Sequence, residues 1–350
     1  MSYTYQVSKP FLAERELEYV SEAVRTGWIS SQGPLVPRFE EAFAAFHGSA
    51  HGVACSSGTA AITLALRALN IGPGDEVIVP EFTMIATAWA VTYTGATPVF
   101  VDCGDDLNID VSKIEEKITA RTRAIVPVHI YGRKCDMEPI LQIGYEYNLH
   151  VVEDSAEAHG VKPTGDIACF SLFANKIITS GEGGICLTDD KRLAGQMAHL
   201  RGMAFSKEHN FLHKKVAYNF RMTNMQAGVA LAQTESLDEI LARRAKIEAY
   251  YDAGLSGVDG ITLLPKRDVL WMYDLLADRR EELMDHLAAA GIETRLFFKP
   301  MSRQPMYLDD IWPTLNAHRF AERGLYLPTY TGMTEQDQDV IIGKVREFYA

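Results

Sequence analysis

Residues 149–184 read LHVVEDSAEAHGVKPTGDIACFSLFANKIITSGEGG, with two apolar runs that each end in charged or small polar groups. The first, LHVVEDSA, has the β-branched content of a strand and runs into Glu153, Asp154 and, just beyond, Glu157. The second, IACFSLFA, leads to Lys176 and then to the glycine-rich turn SGEGG. A carboxylate at the carboxyl end of a buried strand needs a cation facing it, in a structural ion pair or in a functional site. A lysine beside an apolar run either extends its head to water or stays buried, where the free amine is favoured and is a nucleophile toward aldehydes. Open sheets gather ligands beyond the carboxyl ends of their strands, which is where both sets of groups fall.

The flanking sequence continues the rhythm. HGVACSS (51–57) is a strand and TAAITLALRAL (59–69) a helix; DEVIVPEF (75–82) is a strand and TMIATAWAVTYTG (83–95) a helix. TPVFVDC (97–103) and RAIVPVHIYG (123–132) are further strands, and EPILQIGYEYN (138–148) is a helix. Upstream, residues 14–26 and 36–48 have helical spacing, the second with Phe39, Phe43 and Phe46 on one face. This alternation predicts an α/β fold with a mainly parallel sheet flanked by helices. One long helix, capped by Thr223 or Asn224, is expected to reach about Leu255 and to lead into a smaller C-terminal α+β domain. That domain contains ITLLP, VLWMYDLL, REELMDHLAAAG, IETRLFF and a last helix from Glu335, so the expected division is 1–240 and 241–350.

Composition narrows the function. The 350 residues are 47% hydrophobic, enough for two domains, and the net charge of -12 lacks the basic footprint of a nucleic-acid binder. A phosphate-bearing ligand must then be held by local donors. No apolar run is long enough for a membrane span and no signal peptide opens the chain, so a cytoplasmic protein is expected. Cys55, Cys103, Cys135, Cys169 and Cys186 are scattered without a CxxC pair, which argues against structural zinc and against disulfides.

Ser57, Gly58 and Thr59 fall between a strand and a helix, as an ordinary N-cap or as a phosphate cradle. Set beside Asp154 and Lys176, the cradle reading fits pyridoxal 5'-phosphate. That cofactor needs a lysine for its Schiff base, a carboxylate at its ring nitrogen and donors for its phosphate. No GxGxxG follows a predicted strand, so no nicotinamide fingerprint competes.

With TGWISSQG, GPGDEVIVP, GATPVFVD, VPVHIYGRKCDM, YNFRMTNMQAGVALAQ and IETRLFFKPM, these stretches span nearly the whole chain. They resemble the DegT-type, fold-type I aminotransferases that act on nucleotide-linked keto sugars. The resemblance implies glutamate as amino donor and a nucleotide-linked 6-deoxy keto sugar, most nearly a GDP-linked one, as acceptor. It implies that Lys176 carries the cofactor and shuttles the proton, and that Asp154 pairs with the pyridine nitrogen. Glu157 is placed near the phenolic oxygen, where many relatives have Gln. Ser57, Gly58, Thr59 and Ser171 are implied to hold the phosphate. Asn219 is implied to reach the phosphate of a neighbouring subunit, so a homodimer is expected. His129 joins Lys176 and Asp154 as a catalytic candidate; Trp28, Ser30, Lys215, Arg221 and Arg295 are substrate candidates. Lys214, Lys299 and Arg303 are further cations for a diphosphate, each equally readable as a solvated surface charge. Met84 departs from the family pattern, which usually has an aromatic residue there to stack on the cofactor ring; a thioether also packs on a ring face. The segments around 160–167 and 265–280 look shorter than in relatives. Alternative readings are a different UDP- or dTDP-linked acceptor and a ligand-binding member of the fold without turnover. A dehydratase of this fold usually has histidine where Lys176 stands.

Overall fold

The computed structural model describes residues 3–206, 211–213, 215–308 and 316–350. Helices α1 (Glu14–Thr26) and α2 (Leu35–His47) precede β1 (His51–Cys55), α3 (Gly58–Ala68), β2 (Glu76–Pro80), α4 (Ile85–Thr94) and β3 (Thr97–Val101). Then come β4 (Thr122–Ile125), α5 (Met137–Glu146), β5 (His150–Asp154), β6 (Ile167–Ser171), β7 (Gly184–Thr188) and α6 (Lys191–Arg201). These strands form one sheet in the order β1-β7-β6-β5-β4-β2-β3, and β7 alone runs against its neighbours.

Both faces are covered, as an almost wholly parallel sheet requires. Strand alternation sends Val77, Val79, Val126 and Val152 to a core with α3, α4 and α6. Ile78, Ile125 and Val151 point the other way, onto α5. At the β1 end Phe170, Ile185 and Leu187 meet Phe39 and Phe43 of α2 and the following helix α7 (Asn224–Glu235).

Thr223 is the cap of α7: its hydroxyl accepts from the Gln226 amide while the Gln226 side chain accepts from the Thr223 amide. The long helix expected from Thr223 is interrupted at Ser236, where φ -103 and ψ 4 leave the helical range, and α8 (Leu237–Leu255) follows. A second sheet, wholly antiparallel, contains β8 (Ile261–Leu263), β9 (Tyr273–Ala277), β10 (Arg295–Leu296) and β11 (Gly324–Leu327), in the order β10-β11-β9-β8. Helices α9 (Arg280–Ala289), α10 (Asn316–Arg323) and α11 (Glu335–Tyr349) accompany it.

Two further sequence expectations need correction, and one strand was not expected. RAIVPVHIYG yields only β4, because Pro127 has no N–H to continue a ladder and Tyr131 and Gly132 turn with φ 55 and φ 85. IETRLFF contributes only the two residues of β10. GICLT, passed over after the glycine-rich turn, is β7 and is buried throughout. All five cysteines are buried free thiols, and among the described residues no helix is long and apolar enough to cross a membrane.

Candidate active site

The carboxyl ends of β1, β2, β5 and β6 open on one side of the sheet, around a cavity of about 310 Å³. Asp154, Glu157 and Lys176 line it, as do Ser57, Gly58 and Thr59 at the start of α3, Ser171 at the end of β6, and Met84 ahead of α4. All eight were singled out in the sequence. Trp271 and Phe298, from the C-terminal part, complete the wall together with Thr83 and Asn175.

At the floor, Asp154 is buried, with one carboxylate oxygen accepting from the Thr87 hydroxyl at 2.8 Å and the other from the Ala156 amide at 3.1 Å. Thr83 and Thr87, one helical turn apart, share a hydroxyl contact at 3.0 Å that continues the chain back to the cavity wall. Burial raises the pKa of Asp154, and the Thr87 and Ala156 donors and the Lys176 charge oppose that shift. Glu157 accepts from the Tyr131 amide at 3.0 Å and from Lys176 Nζ at 3.2 Å; burial raises its pKa too, against the pull of Lys176. Lys176 sits in the turn after β6, held by its own amide to the Phe173 carbonyl at 2.9 Å.

Opposite, Ser57 caps α3 by accepting from the Ala60 amide at 3.1 Å. The Gly58 and Thr59 amides lie ahead of the first intrahelical bond, which Ala61 donates to Ser57 at 3.0 Å. A helix N-terminus with a serine hydroxyl on each side suits an anion. Gly58 is needed for close packing, since a Cβ there would come within 2.8 Å of the Ser171 Cβ.

This donor set fits pyridoxal phosphate. It offers one lysine amine, a buried carboxylate whose charge lacks a full counter-ion, and an anion cradle across the cavity. The carboxylate is the chemically telling member: its raised pKa means that it gains from a protonated ring nitrogen placed beside it.

The neighbouring carboxylate takes the other reading. Glu153 points to the opposite face, where it holds His129 Nε2 at 2.8 Å and accepts from the amides of Thr164 and Gly165. The His129 ring is fully buried and its Nδ1 accepts from the Cys135 amide at 3.1 Å. Both ring nitrogens are thus engaged away from the cavity, so the catalytic part expected of His129 gives way to a structural one.

The remaining candidates lie outside the cavity lining of the single chain. Trp28 and Ser30 are exposed on a loop that Asn224 pins: its amide donates to the Trp28 carbonyl at 2.7 Å, and the Asn224 N–H to the Ser30 carbonyl at 2.9 Å. Asn219 is exposed and accepts from Arg221 Nε at 2.9 Å. Arg221 lines a second cavity with Arg201, Ser31 and Phe205. Lys215 is exposed, Arg295 pairs with Glu293 at 3.3 Å, and Lys214 lies outside the described residues.

Comparison with known proteins gives the family. The profile of the DegT/DnrJ/EryC1/StrS aminotransferase family matches residues 10–346. A GDP-perosamine synthase of Caulobacter vibrioides is 44% identical over 96% of each chain, and one of Escherichia coli O157:H7 is 40% identical over 98% of each. Among solved structures, S. venezuelae DesV in complex with a ketimine intermediate superposes with a TM-score of 0.90 at 35% identity, covering 98% of both chains.

Proposed function

The chain belongs to the DegT/DnrJ/EryC1/StrS aminotransferase family and is a pyridoxal phosphate-dependent enzyme, and from that premise we propose its substrates and the residues that serve them. It transfers the amino group of glutamate to the C4 ketone of GDP-4-keto-6-deoxymannose, giving GDP-perosamine. The observation that carries the chemistry is the convergence of Lys176, Glu157 and Asp154 in one cavity that faces the start of α3. The acceptor is supported by the identity to the two GDP-perosamine synthases over nearly full length.

When bound, the cofactor supplies an aldehyde for amine exchange and a ring that takes up the electron pair left on the substrate carbon. This chain's residues do the rest. Lys176 Nζ, the lysine of the cavity lining, would hold the cofactor covalently and, once released, would be the amine placed to take up and return a proton. Asp154 holds the proton on the ring nitrogen, and Thr87 fixes its carboxylate. Ser57, Gly58, Thr59 and Ser171 bind the phosphate. Met84 lies at the mouth, 47% exposed, with its thioether available to a ring face. The same reading divides the chain near residue 240 and assembles it as a homodimer. Asn219 then serves the partner's cofactor, and the exposed loop with Trp28 and Ser30, with Lys215, Arg221 and Arg295, serves the nucleotide sugar.

The deciding experiment offers GDP-, UDP- and dTDP-linked 4-keto-6-deoxy sugars with glutamate and compares kcat/KM, with product mass as the check. A preference for the GDP-linked mannose derivative is expected. A tenfold preference for either of the others, about 1.4 kcal/mol in transition-state binding, would overturn the acceptor and leave the chemistry standing.

A further inference from the structure

Lys176 has a second neighbour that no sequence motif singles out. The face of the Trp271 indole lies 4.3 Å from Lys176 Nζ, on a different element from Glu157. The same indole donates its Nε1–H to the carbonyl of Asn175, the residue before the lysine, at 2.8 Å. Trp271 therefore touches both the amine and the backbone that presents it.

Its own placement is heavily determined. Arg244 of α8 is fully buried, and its Nη1 donates to the carbonyls of Trp271 at 2.8 Å and Leu270 at 3.2 Å, while Nε donates to Thr331 Oγ1 at 3.1 Å. These partners are neutral, and burial lowers the arginine pKa to about 10. A buried guanidinium without a carboxylate is costly, and here its hydrogen bonds fix the backbone just ahead of β9. From the other side, the Asp268 and Val269 amides both donate to the Gly132 carbonyl at 3.1 Å. Gly132 has φ 85, and a Cβ on it would collide with the Val269 carbonyl. The turn preceding it presents the Tyr131 amide to Glu157. Trp271 and Glu157 are thus held in register by one contact between the two parts of the chain.

We propose that Trp271 and Glu157 together form a holding site for the Lys176 ammonium, with the indole face as its cation-binding wall. The proposal rests on the reading of Lys176 as the reacting lysine for its role in turnover, where the site receives the amine whenever it is not bonded to the cofactor. Its physical content stands without that reading. An aromatic face on a partly desolvated ammonium favours the charged form. Glu157 at 3.2 Å acts in the same direction, and Asp154, His159 and Glu182 are the other titratable groups around the amine.

The test uses the full chain freed of cofactor. Acetic anhydride acylates only the unprotonated amine, and peptide mass mapping reads Lys176 separately from the other lysines as pH is varied. Accessibility changes the plateau of that curve, and charge stabilisation changes its midpoint. Trp271→Leu should move the Lys176 midpoint down by roughly 0.5–1.5 pH units, with Trp271→Phe, which keeps an aromatic face, moving it less than half as far. A midpoint unmoved in Trp271→Leu, or moved equally in both variants, overturns the proposal. Should the leucine variant not fold, the emission difference between the unsubstituted protein and Trp271→Phe replaces it. That difference should titrate with the Lys176 acylation midpoint, and a pH-independent difference overturns the proposal as well. Failure of the aminotransferase reading would leave these curves unchanged and show only in the substrate panel.

Discussion

Asp154 and Glu153 are adjacent carboxylates at the end of one strand, yet they do different work, and the reason is the two-residue period of a strand. Glu153 faces inward to His129 and two loop amides, while Asp154 faces the cavity. The sequence flags both, because an acid at the end of an apolar run always needs explaining. It does not say which face is which, since that depends on strands far away in the chain. Lys176 and Glu157 were legible for the same reason of cost. Trp271 was not, because a tryptophan in VLWMYDLL looks like any core residue until the fold sets it against the lysine. Thr87 was hidden too, as one hydroxyl in a helical stretch. The energetics of Asp154 lead to a counter-intuitive expectation. Burial raises its pKa in the folded, cofactor-free chain above the ordinary value of 3.8. A raised folded-state pKa means that its contribution to stability is fully present below the unfolded pKa and is lost as pH rises through the folded value. At pH 8 the buried charge is therefore a burden in the absence of the ring nitrogen. Asp154→Asn keeps an oxygen for the Ala156 amide, and the Thr87 hydroxyl can turn to accept from the new amide. The cofactor-free variant should melt about 2 °C or more above the unsubstituted protein at pH 8, with the gap closing toward pH 4. It should also have lost nearly all transaminase activity. Thermal melts of the two cofactor-free proteins across that range check the sign, and a variant less stable at pH 8 would contradict it.

At the scale of elements, the strand-to-helix alternation was read correctly because β-branched runs and helical spacing differ in period and are punctuated by glycine. Elements were missed where length or context, rather than period, decides. β7 is five buried residues behind a glycine-rich turn, β10 is two residues, and Pro127 cuts short a strand that its neighbours would otherwise extend. The proposed phosphate cradle shows how much of a site resides in packing between elements. α3 must approach β6 closely enough for its first amides and Ser171 to face one anion, and Gly58 is the point of contact. A methyl group there meets the Ser171 Cβ at 2.8 Å, so α3 must shift or Ser171 must move. Gly58→Ala should cost about 1–3 kcal/mol through overpacking, leaving the fold intact. Displacing the cradle should also weaken pyridoxal phosphate at least tenfold, read by titrating the cofactor's absorbance into the variant. Unaltered affinity would mean that the start of α3 is only a helix cap.

At the scale of the whole molecule, the single chain brings Lys176, Asp154, Ser171 and the start of α3 to one cavity, while Asn219, Trp28 and Ser30 stay on the surface outside it. A surface asparagine with its Oδ1 taken by Arg221 still presents two N–H donors. The loop with Trp28 is not slack either, since Asn224 pins it, and Gly33 passes so close to that side chain that no Cβ fits. Exposed apolar groups lie near Asn219 in sequence, with Val216 91% exposed. In the proposed two-fold dimer the contact is reciprocal, with Asn219 of each chain serving the other's cofactor. If Asn219 donates to that phosphate, its loss removes a hydrogen bond to a charged group, roughly 1.5–3 kcal/mol of cofactor affinity. The sharper consequence is complementation. Lys176→Ala leaves a chain with a dead cavity and a good Asn219; Asn219→Ala leaves a good cavity and no donor for its partner. In a mixed dimer of the two, one site pairs Lys176 with Asn219 and is whole, and the other lacks both. Equal amounts exchanged to equilibrium give mixed dimers in half the population, hence about a quarter of native sites. Assayed at a cofactor concentration that starves Asn219→Ala, the mixture should recover about a quarter of the unsubstituted activity, while neither parent approaches it. Recovery no greater than that of Asn219→Ala alone would mean that each site is built within one chain, and that Asn219 serves its own surface.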